Sequence, residues 1–120
     1  MANPPKRYML ILRGGVDEKT LSPEQLQQLI GKYFGWIEQL RGRSQYEGGE
    51  PLEDDTKLLS GSGGRKMTDG PFTEAKEIVG GYFIIRAKDL NEAGEIARGC
   101  PIFDNEGTVE VRPIQPMPVA

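Results

Sequence analysis

Thr68-Asp69-Gly70-Pro71-Phe72 is the most distinctive local run in the chain, and it carries a carboxylate where the backbone must turn. An Asp side chain can bond the backbone that follows it, Gly tolerates unusual φ, and Pro71 can open a helical turn. Phe72 to Glu77 then reads as a short helical segment, which would bring Asp69, Glu74, Lys76 and Glu77 together just before an apolar strand. A carboxylate of shifted pKa beside an ammonium is the raw material of general acid–base work, with Asp69 as the acid/base. The same residues also fit a solvated turn with a surface ion pair of little energetic weight. Arg112 alternates with Val109 and Val111 and shares a strand face with Glu110. In a pocket it would clamp an anion bidentately; on an open face the two make an ordinary ion pair.

Other chemistry is excluded or weak. The chain has no histidine, which removes Ser-His-Asp and Cys-His catalysis and His-containing zinc sites. Cys100, the single cysteine, ends a helical stripe where the dipole disfavours a thiolate, so it reads as a buried structural thiol. Gly61 to Lys66 has glycines like a phosphate loop but lacks the Gly-Lys-Ser/Thr ending and a following helix. Glu53-Asp54-Asp55 is too short an acidic run for a calcium loop. No nucleotide, flavin or metal motif is found, and no cofactor is expected.

The elements that must position these residues belong to a chain of ordinary globular balance, 37% hydrophobic and 28% charged over 120 residues. That length suits one domain, with an ordered core at about 7–114 between loose tails. The longest apolar run, Tyr8 to Leu12, is too short for a membrane span or a signal-peptide core. One cysteine allows no internal disulfide, which points to a reducing cytoplasm. A net charge of -3 argues against nucleic acid or an anionic membrane as partner.

Arg7 to Arg13 reads as a strand closed by Gly14-Gly15. Ser22-Pro23-Glu24-Gln25 opens a helix with an N-cap, a proline at its first position and a capping-box glutamine. Leu26, Leu29, Ile30, Tyr33, Ile37 and Leu40 continue it to about Arg41, with Trp36 and Phe34 to its sides. Ser44 to Leu52 reads as extended, and Thr56–Ser60 and Arg65–Thr68 as a hairpin around Gly61-Ser62-Gly63-Gly64. Ile78 to Arg86 is the strongest strand; Gly80-Gly81 within it marks a bulge, a close backbone approach or room for a ligand. Asp89 to Glu92 caps a second helix that ends at Gly99 and Pro101, and Thr108 to Ile114 alternates as a final strand.

Two strand–helix–strand units of this order predict an α+β, ferredoxin-like sandwich with both helices on one sheet face. Tyr82 to Ile85 is apolar on both alternating faces, so the helix-free face is expected to be covered too. With no segment left to cover it, a sheet-to-sheet homodimer follows.

The run TDGPFTEAKEIVGGYFII, followed by GCP and GTVEVRPI, resembles the YCII-related family in its DGPF-motif branch; RYMLILRG, LSPEQ and GGEPL fit the same pattern. The resemblance covers nearly all of Arg7 to Ile114 and implies a ferredoxin-like unit that dimerises into a dimeric α/β barrel. Asp69, Gly70, Pro71, Phe72, Glu74, Lys76, Glu77, Gly80, Gly81 and Tyr82 fall on the DGPF-type motif, and Glu110 to Pro113 on its closing strand. It also implies a ligand pocket between sheet and partner subunit, drawing on Gly70, Pro71, Phe72, Glu74, Lys76, Gly81, Tyr82 and Arg112 with Asp69. The family's proposed His–Asp pair lacks its histidine here: where many DGPF-branch relatives carry His after Cys-Pro, this chain has Ile102. The readings are a small-molecule-binding dimer or enzyme, a regulatory module that partners an extracytoplasmic-function sigma factor, and an accessory fold without a ligand.

Overall fold

The computed structural model describes residues 5–70 and 77–118. The expected helical segment after Asp-Gly-Pro, with Pro71, Phe72, Glu74 and Lys76, lies outside the described residues.

The central sheet has four strands in the order β2 (Tyr46–Pro51), β5 (Val79–Ala87), β1 (Lys6–Arg13), β6 (Thr108–Pro113), every neighbour antiparallel. With helix α1 (Pro23–Gly42) joining β1 to β2 and α2 (Leu90–Ala97) joining β5 to β6, this is the ferredoxin-like arrangement expected from the sequence. Between β2 and β5 the chain inserts a separate hairpin, β3 (Lys57–Ser60) with β4 (Lys66–Asp69).

Alternation in β1 sorts the sheet's two faces. Tyr8, Leu10 and Leu12 are buried towards the helices, opposite Ile85 and Phe83 on β5 and Val111 and Val109 on β6. Trp36, Ile37 and Leu40 of α1 and Ala93, Ile96 and Ala97 of α2 close this core over the sheet. Phe83 is its hinge of contacts: Trp36 meets it edge-on at 5.1 Å between centroids, and Tyr33 stacks at 6.1 Å. The ring lies over Gly49 on β2, where any Cβ would collide with Phe83 and with the Tyr82 carbonyl.

Local signals explain the helix boundaries. Ser22 Oγ accepts from the Gln25 amide at 3.1 Å while the Gln25 side chain accepts from the Ser22 amide at 2.9 Å, a complete capping box. At α2, Asp89 accepts from the Glu92 amide at 2.8 Å, but Glu92 reaches back to the Lys88 amide instead of the cap's own. Cys100 is buried, 3% exposed, directly before the 3-10 turn Pro101–Asn105. Among the described residues no helix is long and apolar enough to cross a membrane.

Candidate functional site

On the helix-free face of the sheet several elements contribute both apolar and charged side chains. Met9 and Ile11 of β1 lie opposite Ile84 and Tyr82 of β5, and all four are half-buried. Arg112 and Glu110 of β6 stand opposite Met9 and Ile11 on the other side of β1. Tyr82 and Arg112 therefore share this face, as the alternation of their strands requires, with β1 between them and about 10 Å of sheet separating their strands.

Ion pairs frame this apolar floor at both ends. At one end Arg7 and Arg86, cross-strand partners, converge on Glu47, with Arg7 Nε donating to Glu47 Oε2 at 2.9 Å and Arg86 Nε 3.6 Å away. At the other, Arg13 Nη1 donates to Glu110 Oε1 at 2.6 Å, and Arg112 Nε is 3.8 Å from Glu110 Oε2. The hydrogen bond from Arg7 holds the Glu47 carboxyl below the usual carboxylate range, helped by the charges of Arg7 and Arg86. The same bond raises the Arg7 guanidinium further above its ordinary value. Arg112 is the least engaged of the four arginines, its side chain 67% exposed.

A β-bulge puts Glu47 there. Tyr46 pairs with Ile85 and Gly48 with Ile84, so Glu47 is an extra residue in β2. Tyr46 can then join the core against Phe83 while Glu47 turns to the arginines. Sequence reasoning missed Arg7, Arg13, Glu47 and Arg86. For the β1 pair the signal was present, since Arg7, Met9, Ile11 and Arg13 fall on one face of an alternating strand.

Gly80 and Gly81 resolve into two roles. The β1–β5 register slips between Leu12 and Arg13, whose partners are Gly81 and Val79, leaving Gly80 as the bulge. Gly81 is buried on the helix side opposite Leu12, and a Cβ there would stand 3.0 Å from the Glu50 carbonyl oxygen and 3.3 Å from Pro51 Cα. It permits close approach of β2 to β5.

Asp69 stands at the foot of the hairpin. Among the described residues its partner is Lys57 across the hairpin, whose Nζ donates to Asp69 Oδ1 at 2.9 Å; both side chains are well exposed. Gly70 donates its amide to the Thr56 carbonyl at 2.7 Å, and a Cβ on it would stand 2.8 Å from Thr56 Cβ. Beside this closure lies an open cleft of about 530 Å³ lined by Leu52, Thr56, Ile78 and Val79 with Glu53, Asp55 and Glu77. Glu77 thus faces the cleft. Pro71, Phe72, Glu74 and Lys76 belong to the undescribed segment. Among the described residues no group of three or more His, Cys, Asp or Glu is placed to hold a metal ion.

A family model for the YCII-related domain matches residues 7–118. The chain belongs to the YCII-related family. Ile102, which follows Cys100-Pro101, is buried, 7% exposed. Among solved structures the fold is similar to 5-chloro-2-hydroxyhydroquinone dehydrochlorinase from Burkholderia phenoliruptrix, determined in complex with 2,5-dihydroxybenzoquinone. The two share 18% identity over 90% of this chain and 93% of that one, with a TM-score of 0.45. A comparison with curated proteins finds no match.

Proposed function

We propose that this YCII-related protein is a small-molecule-binding dimer, with each ligand held between the helix-free face of one sheet and the partner subunit. The observation that carries this reading is the composition of that face: Met9, Ile11, Tyr82 and Ile84 form an apolar floor, and Arg7, Arg13, Arg86 and Arg112 stand around it with Glu47 and Glu110. An apolar centre inside a ring of complementary charge fits a twofold, isologous contact, in which every arginine cluster can meet an acidic one. Arg112 is the group free to take an anionic substituent of the ligand, Tyr82 supplies a flat apolar wall with a polar tip, and Asp69 serves as acid/base if turnover occurs. The resemblance of Thr68-Asp69-Gly70-Pro71-Phe72 and the strand after it to the DGPF-motif branch supports the same dimer.

Native mass spectrometry on freshly purified protein tests this directly. The expected spectrum is a dimer carrying a reproducible small adduct, and Ile84→Asp, which buries a carboxylate in the contact, is expected to give a folded monomer. Loss of the adduct in Arg112→Ala with the dimer intact assigns the anion contact. A monomeric wild-type protein would sink the reading, since the pocket exists only between two copies. Asp69→Asn in a folded dimer separates its roles: lost turnover or binding supports the acid/base assignment, and unchanged function removes it. No observation on the described residues favours the sigma-factor alternative.

A further inference from the structure

Trp36 presents one edge that the core does not use. It is 7% exposed and is fixed edge-on against Phe83 at 5.1 Å between ring centroids. A buried indole N–H ordinarily finds an acceptor, because an unmatched donor away from water costs free energy. Here it donates to no acceptor among the described residues, and it is not sealed in either. The fully buried, unpartnered side-chain polar atom among those residues is Gln45 Oε1, not Trp36 Nε1. Trp36 lines an open groove of about 420 Å³ where α1 passes the end of α2 and the turn Pro101–Asn105, and its N–H opens there.

Two glycines keep the groove clear. A Cβ on Gly99 would stand 2.8 Å from Trp36 Nε1 and 3.0 Å from its Cδ1, so a side chain there would cover the donor. On the α1 wall a Cβ added to Gly35 would meet nothing within 4 Å. Phe103, 45% exposed, supplies an aromatic surface on the opposite wall. The charged lining groups are Lys32, Arg98 and Asp104, two cations against one anion on a chain of net charge -3. Asp104 Oδ2 lies 3.2 Å from Lys32 Nζ and engages one of its three protons. Arg98 Nε is 3.6 Å from Glu95 Oε1, too far for a hydrogen bond, and its side chain is 79% exposed. Its guanidinium donors stay available.

An occupant of this groove must bring an acceptor to its floor, since an indole N–H only donates. It must also offer a flat apolar body to Phe103 and negative charge to Arg98 and Lys32. We propose that the groove binds a small aromatic carboxylate, one oxygen of which accepts from Trp36 Nε1 while Arg98 and Lys32 meet its charge. The ring then lies between Phe103 and the bare backbone at Gly35. The groove is on the helix side of the sheet, so the proposal does not rest on the sheet-face reading above.

Trp36 is the single tryptophan, so it reports on its own site. Titrating the full-length protein with benzoate is expected to shift the one indole N–H resonance in NMR spectra saturably. A dissociation constant of about 1 mM or tighter is expected for a ligand of that size. Benzyl alcohol keeps the ring without the charge and is expected to bind about tenfold more weakly. Gly35→Leu fills the groove from a position whose Cβ meets nothing, and is expected to abolish the shift. Leucine is also the better helix former, so an unchanged or raised melting temperature distinguishes a filled groove from a lost fold. Arg98→Gln is expected to weaken benzoate several-fold and to leave benzyl alcohol as it was. No saturable shift at about ten times that constant, equal affinity for benzyl alcohol, or a full response in folded Gly35→Leu would each overturn the proposal. Arg112→Ala, on the other face of the sheet, is expected to keep the benzoate response, so the two sites fail separately. A response lost in Arg112→Ala would place benzoate on the sheet face and overturn the assignment to the groove.

Discussion

Ile102 shows at the scale of one residue how packing decides which side chain a position accepts. It is 7% exposed and closes over two glycines: a Cβ on Gly15 would stand 3.1 Å from Ile102 Cγ1, and one on Gly107 would collide with it. The Gly107 amide donates to the Ile102 carbonyl at 3.1 Å, tying the following turn to the same spot. An imidazole placed there would lose water without a partner in view among these apolar and backbone groups. Ile102→His is therefore expected to cost about 2–4 kcal/mol of stability, while Ile102→Val costs about 1 kcal/mol. Urea denaturation of the two variants checks this. A histidine variant as stable as the parent, with an imidazole titrating near its ordinary value, would show that the position is open to a ligand instead of packed. Nothing in Ile102-Phe103 says which of the two is buried and which is exposed; the packing of Ile102 against Gly15, nearly ninety residues away, decides it.

Elements were legible to different degrees, and the differences have local causes. Helix α1 was readable because Ser22 and Gln25 satisfy each other's backbone amides at its start and Pro23 brings no amide that needs a partner, all independently of tertiary structure. The bulge at Gly80 was readable because adjacent glycines are disfavoured in a strand. The bulge at Glu47 was not, since nothing in Tyr46-Glu47-Gly48-Gly49 says which residue is extra; the need to bury Tyr46 beside Phe83 settles it. The partner of Asp69 depended on hairpin register, which fixes Lys57 opposite it. One prediction belongs to α1 itself. Its buried residues are Trp36, Ile37 and Leu40, all in its second half, whereas Ile30 is 46% exposed. The first turns are thus held mainly by their cap. Ser22→Ala is expected to cost about 1 kcal/mol, felt chiefly as fraying. Hydrogen exchange should accelerate at Gln25 to Leu29 while the amides of Trp36 to Leu40 keep their protection. Equal acceleration along the whole helix would mean that the cap stabilises the fold globally.

The whole molecule folds around one apolar core on one side of the sheet, and its ionisable groups set the pH range over which that core is stable. The Glu47 carboxyl is held low by the Arg7 hydrogen bond, so its contribution is present above the unfolded carboxylate value near ~4.3 and is lost as pH falls through the lower folded value. Both partners are solvated, which keeps this acid-side term small and salt-sensitive. The alkaline side involves the core itself. Burial raises the Cys100 thiol, outweighing the hydrogen bonds that lower it, and burial raises the Tyr33 phenol, against which Cys100 lies. For groups raised in this way stability is complete below the unfolded values, about 8.5 for the thiol and about 10 for the phenol. It is lost as pH climbs from there through the folded ones, because the unfolded chain gives up its protons first. The melting temperature is accordingly expected to be nearly flat from about pH 5 to 8 and to decline above about pH 9. Cys100→Ala should move the onset of that decline towards the phenol's range near ~10, since of these two buried groups only Tyr33 then remains. Thermal melts of both proteins across this range, with alkylation of the native thiol measured in parallel, check the argument. A native thiol that reacts as fast as in urea, together with an unchanged alkaline onset in Cys100→Ala, would show that the packing of α1 over Cys100 leaves the sulfur accessible to water.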